Sequence, residues 1–542
     1  MTKTKHSALA AGAGLVVGLA APPVDAYPAL WLGMACLAWL LESDTPLPPF
    51  ASRARVALSG ARRGLVFGAA ANLVALRFIP GVIARFTPLP WVAGALALGL
   101  LAVFEGLRWM VAAVACETLA RARVPRPVAF AAGVYAGTFV PTMLPWTVAG
   151  GASPWPVVVQ LADLVGERGV SALMALTAGL LATGVRRSLG RETRARGVAL
   201  VAGALAVVGA QIAYGAVRLH GVDAERASAA SAAVGLVQPG VGASTRWEPE
   251  RAPEIVATLS DLTRFSEAHG AALTIWPEAA YPYPLPHGSR AEPAGAPPIL
   301  GRGVRGPVLT GLLTTGGPGG SAFNSVLVAT RAGLSDSYDK RHLLWFGETV
   351  PLADRIPLLR EIFARGLGLA PGHRSVALEA GPVRAATLVC YEDTLPEAGR
   401  EAMEDRPTLL VNVTNDAWFD GPESELHLRM AALRAVELRR DMVRAVNRGV
   451  PSWVDAAGRV LARGSPDFAA VLLTHPALLS TAPTLYARYG DAPWALASLL
   501  LANLAVWREA RRRREPRRLA LEHEGRPAAS RGGRPPAGAR AP

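Results

Sequence analysis

The stretch AATLVCYEDTLPE, residues 385–397, decides how the second half of the chain is read. An apolar run enters Cys390 and the polar YEDTLPE follows at once. A run so short and so abruptly ended reads as a buried strand with the thiol at its C-terminal end, where layered α/β folds build their sites. Working outward, 233–238, 271–276, 307–314, 325–330 and 408–413 read as further strands. Helix-like stretches lie between several of them, notably 250–269 and 423–446. In the latter, Leu426, Met430, Leu433 and Val436 recur at helical spacing, with Arg and Glu on the other faces. Strands interleaved with helices over residues 232–482 predict one α/β domain large enough to bury its own core.

The first half is of another kind. The 542 residues are 51% hydrophobic and only 18% charged, with a net charge of +14. Average soluble domains carry roughly 25% charged residues, so the excess points to membrane segments. Disorder, collagen and a three-cysteine disulfide scaffold are excluded. Apolar runs fall at about 7–22, 27–41, 64–80, 91–112, 127–148, 169–185 and 197–217, with one more at 490–507. Basic residues precede the first run and follow the second, fourth and sixth, for example Arg121, Arg123 and Arg126. Cytoplasmic loops collect such residues, which sets both termini inside and residues 218–489 outside. The tail 508–542 holds eleven Arg and four Glu, so +7 of the charge lies there. It reads as a disordered cytoplasmic anchor attracted to anionic lipid rather than a nucleic-acid arm, and a cleaved signal peptide at the N-terminus is disfavoured. Glu105 and Arg108, three apart on one face, are expected to pair inside the fourth span. The Pro- and Trp-rich stretch from Pro145 to Gln160 reads as an interfacial or re-entrant element.

The chemistry starts from scarcity. Of 56 basic residues only Lys3, Lys5 and Lys340 are lysine. Where arginine stands nearly everywhere else, Lys340 asks for a compact ammonium in place of a planar guanidinium. Cys390 is the single cysteine of the outer domain, since Cys36 and Cys116 fall in or beside spans. It is either buried and inert or a nucleophile. Glu278 ends the strand-like LTIWPE. Glutamate, lysine and cysteine make a plausible constellation in which a base takes the thiol proton, the thiolate attacks a carbonyl and the ammonium steadies the oxyanion. His287 and His373 have no metal-ligand spacing, and no cofactor motif is present.

These motifs resemble the nitrilase (carbon–nitrogen hydrolase) superfamily. The whole chain is similar to its membrane-integral branch, the apolipoprotein N-acyltransferases. The likeness runs through VGLVQPGV, IWPEAAYP around Glu278, YDKRHLLWFGETVPL around Lys340, LVCYEDTLPE around Cys390, and VNVTNDAWF. It continues from HLRMAALRAVELRRDMVRAVNRGVPS to LYARYGD, residues 485–491. The resemblance implies an α-helical membrane bundle of about eight spans plus a nitrilase-like αββα sandwich. The parts would be a bundle at 1–217, a periplasmic catalytic domain at 218–489, a last helix at 490–507 and the basic tail at 508–542.

The implied activity is transfer of an acyl chain from the sn-1 position of a membrane phospholipid, through a Cys390 thioester, to the α-amine of a diacylglyceryl-cysteine on an apolipoprotein. Glu278, Lys340 and Cys390 would form the triad. Glu348, Tyr391 and Glu392 would support it, the Tyr391 amide as a second oxyanion donor, and Trp247 would line the lipid-facing cleft. No cofactor, metal or nucleic acid is implied, and a monomer in the bacterial inner membrane is expected. Trp345, Asp420 and Arg448 depart from the family pattern and bear on substrate fit. His427, Arg434, Glu437 and Arg444 are expected to be structural, and Asn415 and Asp416 to cap and shape a loop. The competing functions are a membrane-tethered amidase or thioesterase using water, and an inactive lipoprotein-binding homologue.

Overall fold

The computed structural model describes residues 3–42, 53–242, 245, 248–292, 294–353, 355–362, 368–418, 423–465 and 468–524. Its first part is helical. Three helices are long and apolar enough to cross a membrane: Trp91–Arg121, Ala162–Ser188 and Arg194–Ser228. Ala57–Ala75 and Ile79–Phe86, bent by 61°, make a fourth if counted as one span. The other apolar runs give shorter or less apolar helices, among them Lys3–Gly18 and the 14-residue Ala29–Glu42. The run 127–148 does not form one helix. It is helical only over Arg126–Gly137, because Pro141 and Pro145 bias the residues before them away from helical geometry. Beyond Gly137 the chain continues irregularly, with single turns at Val148–Gly151 and Pro156–Val159.

Glu105 and Arg108 explain how that irregular segment is tolerated against the bundle. They pair at 3.5 Å as expected, and they also bond backbone. Glu105 Oε1 accepts from the Met143 and Leu144 amides at 2.7 and 3.1 Å, and Arg108 Nη1 donates to Trp146 O at 2.5 Å. Non-helical backbone away from water needs such partners.

Residues 234–474 form two sheets. In one the strands stand in the order Ala470–Thr474, Val234–Gln238, Leu273–Ile275, Val308–Thr315, Ala322–Thr330 and Gly333–Leu334. In the other the order is Val460–Arg463, Ser452–Val454, Met442–Val446, Leu409–Thr414, Val383–Val389 and Ala377–Ala380. The sheets face each other across a core of Val, Leu, Ile and Ala that includes Leu236, Ile275, Val326, Val389, Val411 and Val443. Helix Ala252–Ala268 covers the outer face of the first sheet through Ile255, Val256 and Leu259. Helix Glu423–Leu438 covers the second through Leu428, Ala431 and Ala435. The domain is thus an α/β sandwich of four layers.

The helix expected over 423–446 ends at Leu438, and Met442–Val446 is a strand paired in parallel with Leu409–Thr414. Arg439 turns the chain with φ +51°. Leu426, Met430, Leu433 and Val436 do share a face, but that face packs on the N-terminal helices. Polar ties seal the junction. Arg439 pairs with Asp163 at 2.7 Å, Arg434 with Glu167 at 2.6 Å and Arg168 with Glu397. The last apolar run lies in a helix, Ala492–Glu524, which extends well into the basic stretch expected to be disordered.

Candidate active site

Cys390 follows strand Val383–Val389 directly and opens a short 3-10 turn, Cys390–Thr394. Its φ of +54° is unusual for a non-glycine residue, and such strain is held only where surroundings fix it. Two groups do the fixing. Asn412 Nδ2, on the neighbouring strand, donates to Cys390 O at 3.0 Å. Glu392 accepts from the Val389 amide at 2.8 Å, closing the turn on itself.

Glu278 lies three residues beyond strand Leu273–Ile275. Its backbone passes so close to the next strand that only glycine fits at 311, where a Cβ would come within 2.6 to 2.8 Å of Pro277 O, Ala279 N and Glu278 Cα. Glu278 Oε1 accepts from Asn324 Nδ2 at 2.7 Å, and Oε2 from the Asn415 amide at 3.0 Å. Lys340 follows strand Tyr338–Asp339 and is 1% exposed. Its Nζ stands 2.7 Å from Glu348 Oε2 and 3.7 Å from Glu278 Oε1, and 5.4 Å from the centre of the Tyr391 ring. Glu348 is itself held by the Leu344 amide and by Asn324 Nδ2, both at 3.0 Å.

Charge in this cluster is unevenly shared. Burial and the Glu278 carboxylate push the Cys390 thiol well above its ordinary range, with Lys340 pulling the other way. At rest Cys390 is therefore a protonated thiol, which would need a base before it could attack. Burial works against the Lys340 charge, but the Glu348 and Glu278 carboxylates outweigh it and hold the ammonium well above its usual range. Lys340 accordingly stays a cation beside the thiol. Such a group suits an oxyanion that forms only in the transition state.

The structure gathers Glu278, Lys340, Glu348, Cys390 and Tyr391 into one cluster. Glu392 is a brace behind this cluster, held by hydrogen bonds. It accepts from Tyr338 Oη at 2.9 Å and from the Arg341 and His342 amides at 2.8 and 3.0 Å, so it joins the turn at Cys390 to the segment carrying Lys340. Trp247 and Asp420 lie outside the described residues. Trp345 is 44% exposed on the loop that carries Glu348. A cleft of about 290 Å³, its open mouth included, reaches Glu278 between Pro239, Val241, Ile255, Pro282 and Asn447. Among the described residues no group of three or more His, Cys, Asp or Glu is placed to hold a metal ion.

Asn324 escaped the sequence reading, although its one amide nitrogen bridges both carboxylates. The signal available was a lone amide inside the apolar strand AFNSVLVAT. Asn415, expected only to shape a loop, also holds Glu278, and its Oδ1 accepts from Asn447 Nδ2 at 2.9 Å.

Two family models match the chain: an apolipoprotein N-acyltransferase N-terminal domain over residues 13–180 and a carbon-nitrogen hydrolase over residues 232–475. An apolipoprotein N-acyltransferase of Geobacter metallireducens is 30% identical over 506 residues, covering 89% of this chain and 91% of its own. One from Bradyrhizobium diazoefficiens is 30% identical over 545 residues, covering 94% and 96%. Among solved structures, an amidase of the nitrilase superfamily from Nesterenkonia is similar at 19% identity and a TM-score of 0.37, over 50% of this chain and 97% of its own.

Proposed function

The chain belongs to the apolipoprotein N-acyltransferase family, and from that premise we propose how its residues carry out the reaction. The protein is an acyltransferase built on a carbon–nitrogen hydrolase domain and a helical bundle with membrane-length apolar helices. It transfers an acyl chain from a membrane phospholipid to the α-amine of the diacylglyceryl-cysteine of an apolipoprotein. The finer steps follow from the chemistry of the cluster. Glu278 takes the Cys390 proton, and the thiolate attacks the sn-1 ester carbonyl. Lys340 and the Tyr391 amide receive the oxyanion. Collapse breaks the ester C–O bond, Glu278 returns the proton to the departing oxygen, and a lysophospholipid leaves a thioester on Cys390. The acceptor amine then gives its proton to Glu278 and attacks the thioester, forming the amide and regenerating the thiol. Glu348 keeps Lys340 in place throughout.

A single observation supports this assignment above others: a buried ammonium lies between two carboxylates, beside a thiol whose proton is tightly held. The reaction takes place at the outer face of the inner membrane in this proposal, with residues 218–489 outside, both termini cytoplasmic and about eight crossings. The alternation of basic loops supports that orientation.

Purified protein incubated with a fluorescent phospholipid should accumulate a hydroxylamine-labile adduct that Cys390→Ala abolishes. A diacylglyceryl lipopeptide should then remove the label and gain the mass of one acyl chain. An adduct discharged by water alone would instead make the protein a hydrolase. No adduct at all would remove Cys390 from its role.

A further inference from the structure

The turn that begins at Cys390 and the turn that grips Glu278 follow different strands, and one side chain joins them. His427, in the first half of helix Glu423–Leu438, lies between two carboxylates. Its Nδ1 is 3.0 Å from Asp416 Oδ1 and its Nε2 is 2.8 Å from Asp393 Oδ1. Asp393 belongs to the turn Cys390–Thr394, and Asp416 adjoins Asn415, whose amide holds Glu278. The imidazole is nearly buried at 8% exposure, and the two carboxylates are at 1% or less.

A neutral imidazole has one donor and one acceptor, so it satisfies one of these oxygens and turns a lone pair on the other. Two bonds to two carboxylates require the imidazolium. The surroundings balance its charge. Arg444 Nε takes the second oxygen of Asp393 at 3.1 Å, so Asp416, His427, Asp393 and Arg444 alternate in sign. Thr414 Oγ1 adds a bond to Asp416 at 3.3 Å. Burial opposes the charge on His427, but Asp393 and Asp416 outweigh burial and the repulsion of Arg444, raising its pKa from 6.5 to about 9.

We propose that His427 is a positioning residue for acyl transfer: its imidazolium clips the nucleophile's turn to the base's turn, so that Cys390 and Glu278 keep their mutual placement. The proposal rests on the roles assigned above to Cys390 and Glu278. His427 acts through Asp393 and Asp416 and touches neither reacting group. The clip is closed at neutral pH and opens as pH rises through about 9, when one ring nitrogen loses its hydrogen and faces a carboxylate bare.

The test uses the full-length protein in detergent with a fluorescent phospholipid, following the labile adduct on Cys390. In the unmodified protein the maximal rate of adduct formation should fall as pH rises through about 9. In His427→Gln nothing titrates at that position, so this fall should disappear. Its kcat at neutral pH should be roughly 10- to 100-fold lower, the scale of loss expected from displaced reacting groups, with KM for phospholipid nearly unchanged. A His427→Gln protein with undiminished kcat, or one that keeps the alkaline fall, overturns the proposal. Should that variant not fold, as judged by gel filtration, Asp416→Ala carries the test, because it leaves the bond to Asp393 and removes the oxygen that links the ring to the base's turn. A lowered kcat at unchanged KM then supports the clip, and undiminished kcat overturns it. If the unmodified protein forms no adduct, the catalytic roles themselves fall; an adduct formed equally by all variants removes the clip alone.

Discussion

Lys340 is one ammonium serving two carboxylates, 2.7 Å from Glu348 and 3.7 Å from Glu278, in a space that leaves it 1% exposed. Lys340→Arg keeps the charge but adds a planar fork that must spread over more room than Nζ occupies. Its expected effect is a loss of adduct formation of at least ~100-fold, the scale set by removing one oxyanion donor. Lys340→Met should do the same and also lower the thermal unfolding midpoint, because two buried carboxylates then face each other with no cation between them. Rates on the phospholipid and melting curves in detergent separate the two variants. Retention of the full rate by Lys340→Arg would show that charge alone suffices. Lys340 was visible in the sequence because arginine had replaced lysine nearly everywhere else. Cys390 and Glu278 were visible because each ends an apolar run. Asn324 was not, because its importance lies in reaching carboxylates 46 and 24 positions away, and no local spacing encodes that.

Helices show the same division between local pattern and distant contact. The apolar positions of 423–438 were legible as a stripe, but a second apolar face at Leu428, Ala431 and Ala435 means that the helix is buried on two sides. Its polar residues therefore meet partners in place of water. Glu437 reaches helix Ala162–Ser188, which is broken at Gly166 by φ +65° and ψ 177°. The helix restarts there, and the buried Glu167 amide at its new start donates to Glu437 Oε1 at 2.6 Å. Arg434 neutralises the arrangement by pairing with Glu167 at 2.6 Å and Glu437 at 3.2 Å. The apolar run that marks this span starts at 169 and carries no sign of the break, because the reason for Gly166 is the distant Tyr486 ring. A Cβ at 166 would come within 2.2 Å of that ring. Gly166→Ala combines this collision with a backbone region open almost only to glycine, so it should cost roughly 2 kcal/mol or more. The expected observation is a lower melting temperature in detergent. A neighbouring exposed change such as Glu397→Ala should be much milder, since one partly exposed ion pair contributes little.

At the scale of the whole molecule the sandwich and the bundle share one polar and apolar seam, so the side of the membrane on which the sandwich sits follows from the direction of the bundle. The proposed direction rests on arginines at 53–63, 121–126 and 186–196, which all fall on one side if the first helix runs outward. Ala332 is exposed in the turn between strands Ala322–Thr330 and Gly333–Leu334 of the sandwich, and Glu192 is exposed in the connection after Ser188. Single cysteines introduced at the two positions, Ala332→Cys and Glu192→Cys, should therefore report opposite faces. The background should carry Cys36→Ser, because that thiol is exposed, whereas Cys116 is buried and Cys390 half-buried. A membrane-impermeant maleimide added to intact spheroplasts should label Ala332→Cys at once and Glu192→Cys only after permeabilisation. The reverse pattern would put the thiol cluster on the cytoplasmic side and away from exported lipoproteins. Labelling of both in intact spheroplasts would mean that an odd number of the assumed crossings between residues 192 and 332 is wrong. In the proposed arrangement a single crossing, helix Arg194–Ser228, separates them. That helix is 35 residues long, about 52 Å at the usual rise, which exceeds the bilayer core of roughly 30 Å and leaves its C-terminal turns to carry the chain up into the sandwich.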